Sequence, residues 1–230
     1  MTASREGPLL IQSARALLQT SASEALGRLE AERAVRRPGQ IVSAPPPALR
    51  PLLRRLSSEC DSVLDVGTGL MSSLELVDCP VKLGLDAHRP YLERRRVPGA
   101  VPVNASATEL ERLFVPGAVD LVTLIDVVEH FTPGDAREVL RQAESVARRR
   151  VVLFTPRGDF PQQGFDAFGL GGEEYQRHRS AWEPADLVAL GYRVIVLTAY
   201  HDSRNSSFVE VFGAGASPVD ALLAHKDRRP

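Results

Sequence analysis

The chain has 230 residues, a formal net charge of −1, 43% hydrophobic and 25% charged residues. This is the balance of a soluble protein with a real core, and it offers no basic field for nucleic acid or an anionic membrane. Two isolated cysteines, Cys60 and Cys79, argue against a disulfide framework or a thiolate metal site and predict a reducing, cytoplasmic setting.

No apolar run reaches the ~20 residues of a membrane span, and the start lacks the basic-then-apolar pattern of a secretion signal. Residues 8–36 carry Leu10, Ala14, Leu17, Leu18, Ala22, Ala25, Leu26 and Leu29 at helical spacing, which predicts one long helix or two short ones. The Pro/Gly-rich stretch 37–51 reads as a linker, followed by a short helix near 48–57. Residues 1–57 are thus a helical extension to a core spanning 58–230.

From residue 62, short apolar runs alternate with helical segments. Strands are predicted at Val63–Val66, Val81–Leu85, Ala100–Val103, Val119–Ile125 and Arg150–Phe154. They show little alternation, so they belong in a parallel sheet covered on both faces. Thr132 and Pro133 mark the N-cap and first residue of the helix after the fourth strand. Residues 155–182 are Gly-rich and too long for an ordinary connection, which predicts an active-site loop. A helix near 184–190 then leads to two final strands, "YRVIVLTAY" and "SFVEVFGA". The layout is that of an α/β sandwich.

The first of these strands runs directly into Gly67-Thr68-Gly69. In an open parallel sheet, ligands bind beyond the carboxyl ends of the strands. Residues without Cβ let the backbone turn sharply and approach a ligand there, beside the free N–H groups of a following helix. The next strand ends in Asp86, at the spacing where an acid accepts hydrogen bonds from a ribose diol. The plain alternative is a strand-to-helix turn with Asp86 as a helix N-cap. A dinucleotide loop would need a third glycine at position 72, which is Ser.

The stretch resembles the first motif of class I S-adenosylmethionine-dependent methyltransferases, with Asp65, Gly67 and Gly69 matching and Met71 in place of the usual third glycine. The resemblance continues to about residue 213. "LGLDAHRPYLE" is similar to the second motif and "VDLVTLIDVVEHF" to the fourth, while "RRRVVLFTPRG" resembles the fifth strand. "VPVNASATEL" falls where the family contacts adenine, which assigns Ser106 and Ala107 there, with Asn104 as the substitute. The resemblance implies a Rossmann-like, seven-stranded, mostly parallel sheet with helices on both faces, a C-terminal antiparallel hairpin strand and N-terminal helices. It implies methyl transfer from S-adenosyl-L-methionine, with cofactor contacts at Asp65, Gly67, Thr68, Gly69, Asp86, Ala87, Ser106, Ala107, Asp126 and Val127. "FTPRGDFPQQ" and "YQRHRSAWEPADLVALGYRV" are similar to a bacterial subgroup often found among sugar and secondary-metabolite genes, implying a small-molecule acceptor. In small-molecule members, N-terminal helices often cover the acceptor pocket, and here they are also a possible homodimer contact.

Methyl transfer from a sulfonium is an in-line displacement, so the protein's work is positioning, with a general base where the nucleophile is a hydroxyl. Glu129, His130 and His178 are the candidate catalytic residues. Asp126, Glu129, His130 and a distant His178 four residues before Trp182 resemble the metal-binding pattern of small-RNA terminal 2′-O-methyltransferases, and less fully that of metal-assisted quinone O-methyltransferases. This implies a divalent ion, Mg or Mn, that activates a coordinated hydroxyl. Without metal, the histidines act as base or substrate-orienting groups, or belong to the fold alone. Tyr91, Phe131, Phe165, Phe168, Tyr175 and Trp182 are candidates to line an acceptor pocket; His88, His201 and His225 have no constellation. Three functions follow: methylation of a hydroxyl (or secondarily a nitrogen) on a small polar metabolite, metal-dependent RNA 2′-O-methylation, and ligand binding on a degenerate fold. Net charge −1 speaks against RNA.

Overall fold

A computed structural model of the chain describes residues 22–35, 40–95 and 97–228. Its centre is a sheet of β1 (Ile41–Ala44), β2 (Ser62–Val66), β3 (Val81–Asp86), β4 (Val101–Asn104), β5 (Val119–Ile125), β6 (Ala147–Pro156), β7 (Arg193–His201) and β8 (Val219–Asp227). The order is β1-β7-β8-β6-β5-β2-β3-β4. Only β8 runs antiparallel to its neighbours, β6 and β7. The mostly parallel α/β sheet with a C-terminal antiparallel strand is as the sequence predicts.

Strands β2, β5 and β6 form because their apolar residues are buried on both faces, whereas β4 is an exposed edge strand. Leu64 and Val66 join one core with Leu124, Val151 and Leu153. Val63, Leu121 and Val152 join the other, with Leu52, Leu56 and Leu74. Each such side chain contributes about 1.5–3 kcal/mol on leaving water. Helix α5 (Pro133–Val146) starts as predicted, with the Thr132 side chain accepting the Asp135 N–H and Pro133 in the first turn.

Two predicted elements are corrected. The linker contributes β1, which pairs parallel with β7, so the sheet has eight strands rather than seven. "SFVEVFGA" is a helix, α7 (Ser206–Phe212), and the last strand is β8. Asn205 caps α7 by accepting the Phe208 N–H, and the Phe208 and Phe212 rings pack 5.2 Å apart at helical spacing. Ala221–Ala224 are fully buried between β6 and β7, as a central strand requires.

Helix α1 spans 22–35 and α2 Leu49–Ser57. The inward side of α1 is small: Ala31 and Ala34 are buried, and a Cβ on Gly27 would meet the Pro47 carbonyl oxygen at 2.7 Å. Leu26 and Leu29 face outward. Leu10, Ala14, Leu17 and Leu18 lie outside the described residues. No described helix is long and apolar enough to cross a membrane.

The chain order reverses between β2 and β5, since β2 pairs with β3 on one side and with β5 on the other. A crevice therefore opens beyond their carboxyl ends, where connections leave in opposite directions. The candidate site lies there.

Candidate active site

The glycine loop leaves β2 in a conformation that favours glycine. Gly67 and Gly69 have φ of 67° and 52°, and a Cβ on Gly67 would lie 2.6 Å from Val127 Cγ2. Met71 also has positive φ, 65°, and is fully buried. Its Cε fills the space beside Gly84, where an added Cβ would sit 2.8 Å from it. The residue replacing the usual third glycine thus keeps that left-handed turn and fills a core position. A short 3-10 helix, Ser72–Leu76, follows in place of a full α-helix.

Asp65 is buried below this loop and lines neither lobe of the cleft. Its carboxylate accepts hydrogen bonds from the hydroxyls of Thr68 (2.6 Å), Thr123 (2.6 Å) and Ser73. Burial raises its pKa and these three donors oppose the rise. Its place in the structure is that of an anchor holding the loop. Asp86, at the end of β3, accepts the Gly69 N–H at 2.8 Å and the His88 N–H at 2.7 Å, one on each oxygen. A carboxylate has about four lone-pair sites, so each oxygen keeps one for a further donor.

The cleft has two lobes that share Gly67, Asp86, Asp126, His130 and Gln176. The lobe toward β3 is a cavity of about 320 Å³; Ala87, Ser106, Ala107, Val127 and Phe131 form its wall, and Tyr175 borders it. Ser106 lies there as the first residue of a capping box with Glu109. The lobe toward β6 is about 280 Å³ and is bordered by Thr68, Gly69, Glu129, Phe160, Phe165, Phe168, His178 and His201. Tyr91 is almost wholly buried and packs edge-on against Phe168. Trp182 is a core residue, 3% exposed, with its indole N–H donating to Ser180 Oγ. Tyr175 belongs to the β3-side lobe instead of the histidine lobe.

The 128–130 turn after β5 brings Glu129 and His130 to the cleft. Asp126 has φ of 54° although it bears a side chain; such left-handed strain concentrates at functional sites, and Asp tolerates it better than most residues. Asp126 opens onto the cavity, and the protein packed around its carboxyl pushes its pKa above the usual carboxylate range. Glu129 is 2% exposed, and one carboxylate oxygen accepts the Thr155 hydroxyl at 3.0 Å while Oε1 has no partner. Burial and the neighbouring Asp126 carboxylate push its pKa well up.

His130 and His178 each place Nδ1 against a backbone carbonyl, of Arg177 at 3.3 Å and of Phe160 at 2.7 Å. The Nδ1–H must donate there, which leaves both Nε2 lone pairs free. Burial holds both imidazoles neutral, His130 at about 4 and His178 also below its usual value. Their rings lie 5.0 Å apart. The ligating atoms of Glu129, His130 and His178 all fall within 4.8 Å of one another. Asp126 stands outside this group, so three of the four predicted residues converge. Two neutral imidazoles and a carboxylate with a vacant lone pair fit a divalent transition ion such as Mn²⁺ better than Mg²⁺, which prefers oxygen alone.

His201 is the residue that sequence reasoning missed. The β7–β8 register slips between Leu197 and His201, and Ala199 adopts φ of 53°. This bulge sets His201 against Phe160, ring centroids 5.4 Å apart, in the histidine lobe. The Asn205 oxygen is engaged at the α7 cap, so its amide NH₂ is the group 3.5 Å from His201 Nδ1. Nδ1 is therefore the acceptor and the proton sits on Nε2, which is buried without a partner. No local pattern encodes this placement; it depends on the pairing of β7 with β8.

No family model and no curated protein sequence matches the chain. Among solved structures it is similar to a methyltransferase of Bacillus halodurans, with 14% identity, 80% of this chain and 100% of that chain covered and a TM-score of 0.54. It is similar to the YcgJ protein of Bacillus subtilis, at 14% identity, 79% and 98% coverage and a TM-score of 0.54. A third is an S-adenosylmethionine-dependent methyltransferase of Mesorhizobium loti, at 18% identity, 79% and 96% coverage and a TM-score of 0.51.

The fold is that of the class I S-adenosylmethionine-dependent methyltransferases.

The cleft's residues fit the cofactor that this methyltransferase fold implies. Gly67 leaves no room for a side chain beside Val127, Asp86 keeps lone pairs for a diol, and Ala87, Ser106 and Ala107 are small enough to admit a flat base.

Proposed function

We propose that the protein transfers the methyl group of S-adenosylmethionine to a hydroxyl of a small polar acceptor. The observation that carries this reading is the convergence of Glu129, His130 and His178 in one lobe of a cleft whose other lobe suits a nucleoside. The cofactor supplies the activated methyl group and the sulfide that leaves.

The chain's own residues do the rest. Gly67 and Gly69 bring the backbone close to the amino-acid portion, and Asp86 accepts from the ribose hydroxyls. Ala87, Ser106, Ala107 and Val127 flank the base. In the other lobe, the neutral His178 offers Nε2 to take the acceptor's hydroxyl proton, with His130 beside it. Phe160 and Phe165 keep water from the reacting atoms. Alternatively, with the Nε2 lone pairs of His130 and His178 given to ligation instead of proton transfer, Glu129, His130 and His178 would hold a divalent ion, which would lower the pKa of a hydroxyl bound to it.

Charge supports a small acceptor over RNA. Net charge is −1, and Arg141, Arg148, Arg150 and Arg157 are engaged in ion pairs, which takes these four from phosphate binding. The buried free thiols of Cys60 and Cys79 support a reducing, cytoplasmic setting. The outward Leu26 and Leu29 of α1 support a contact between two copies.

Methyl-labelled S-adenosylmethionine, incubated with hydroxylated metabolites and with RNA oligonucleotides, with and without Mn²⁺, tests the proposal. Label on a metabolite oxygen supports it. Label on RNA alone overturns it.

A further inference from the structure

The loop between β6 and the helix Pro184–Ala189 returns to the sheet through a run of five residues, Tyr175-Gln176-Arg177-His178-Arg179. It is held by a bridge between Gln163 and Arg177 and by hydrogen bonds along its backbone. Gln162 Nε2–H donates to the Gln176 carbonyl at 2.7 Å, the His178 N–H to the Gln162 carbonyl at 3.0 Å, and the Arg179 N–H to the Glu129 carbonyl at 2.7 Å. Tyr175 and Gln176 close a turn, their N–H groups donating to the Gly172 and Glu173 carbonyls at 2.9 and 3.2 Å, and the chain pairs with Gln163 at Arg177 as it leaves that turn. Here Tyr175 and Arg179 border the β3-side lobe, His178 borders the histidine lobe, and Gln176 borders both.

Two side chains of this run are left open toward the β3-side lobe. Tyr175 is 48% exposed although it borders a cavity, and Arg179 makes no ion pair among the described residues. The Tyr175 ring lies 5.4 Å from that of His88, whose backbone N–H is bound by Asp86. An aromatic ring and a guanidinium beside a slot of small residues suit the faces of a purine, against which both groups stack.

We propose that this run is a partition through which the cofactor sets the acceptor site. Tyr175 and Arg179 close on the adenosine of S-adenosylmethionine. The same backbone then fixes His178, and through the Arg177 carbonyl His130, in the other lobe. The proposal rests on reading the cleft as the S-adenosylmethionine site. Tyr175 acts on the acceptor side as a positioning residue.

The test uses the full chain with two probes, S-adenosylhomocysteine and adenosine. Tyr175→Ala weakens S-adenosylhomocysteine binding by roughly 10- to 100-fold in calorimetry, and Tyr175→Phe, which keeps the ring, stays within about threefold of the wild type. In spectra of protein labelled with ¹⁵N-histidine, adenosine alone shifts the ring signals of His178, which does not border the adenosine lobe. The signals of His225, in β8 outside the cleft, stay in place. Wild-type affinity in Tyr175→Ala overturns the proposal. So does adenosine that fails to bind at millimolar concentration, or that binds without moving His178. Wild-type protein that binds no S-adenosylhomocysteine overturns the reading of the cleft itself, which is a distinct result.

Discussion

Replacing Gly67 with alanine perturbs the cleft by an amount the geometry sets. At φ of 67° an L-residue pays about 1–2 kcal/mol for the left-handed conformation. The new Cβ would also lie 2.6 Å from Val127 Cγ2, closer than real contacts allow, and Val127 is packed at 4% exposure. The loop relieves both by shifting, and binding must restore it, so the strain reappears as lost affinity. A total of about 2–3 kcal/mol corresponds to roughly 30- to 150-fold weaker S-adenosylhomocysteine binding. In a Val127→Ala background the contact is gone and only the backbone part remains, roughly 5- to 30-fold. Calorimetry on the four proteins of this cycle, with melting curves to confirm folding, measures both parts. Wild-type affinity in Gly67→Ala would refute the close approach of this loop to the ligand.

Other expectations follow from buried polar groups. His225 is buried with both ring nitrogens unpartnered and its pKa is held at about 4 against 6.5 in the unfolded chain. The unfolded state therefore binds the proton first, and stability falls as pH drops from 6.5 toward 4, by up to about 3 kcal/mol from this residue. Denaturant midpoints of His225→Leu should exceed those of the wild type by more at pH 5 than at pH 7.5; parallel pH profiles would exclude this origin. Thr155→Val removes the hydroxyl bound to Glu129 and should cost about 1–3 kcal/mol in denaturant melts while leaving S-adenosylhomocysteine affinity within about twofold. Asp65→Asn sets an amide NH₂ against hydroxyl donors. It should cost a similar amount and, unlike Thr155→Val, should weaken S-adenosylhomocysteine binding, read by calorimetry.

Strands β2, β5 and β6 are legible in the sequence because burial on both faces writes them as continuous apolar runs. Gly67 and Gly69 are legible because their backbone excludes other residues. Elements set by pairing partners are not. Ile41–Ala44 hides among prolines and becomes a strand only against β7. Phe208 and Phe212 read equally as strand or helix until Asn205 caps the helix. Within the site, Glu129, His130 and His178 are found by their residue types and converge, while Asp126 lines both lobes but stands outside the converging group. Asp65 is marked by the motif, yet its role in the structure is to anchor the loop. His201 depends on a bulge, and Tyr175 on which lobe the returning loop presents it to. Neither carries a local signal.

Calorimetric titration of the wild-type chain with S-adenosylhomocysteine tests most directly whether the crevice beyond β2 and β5 binds S-adenosylmethionine. Saturable binding at a single site, with micromolar affinity, is the predicted result. No heat of binding from protein that melts cooperatively would contradict it.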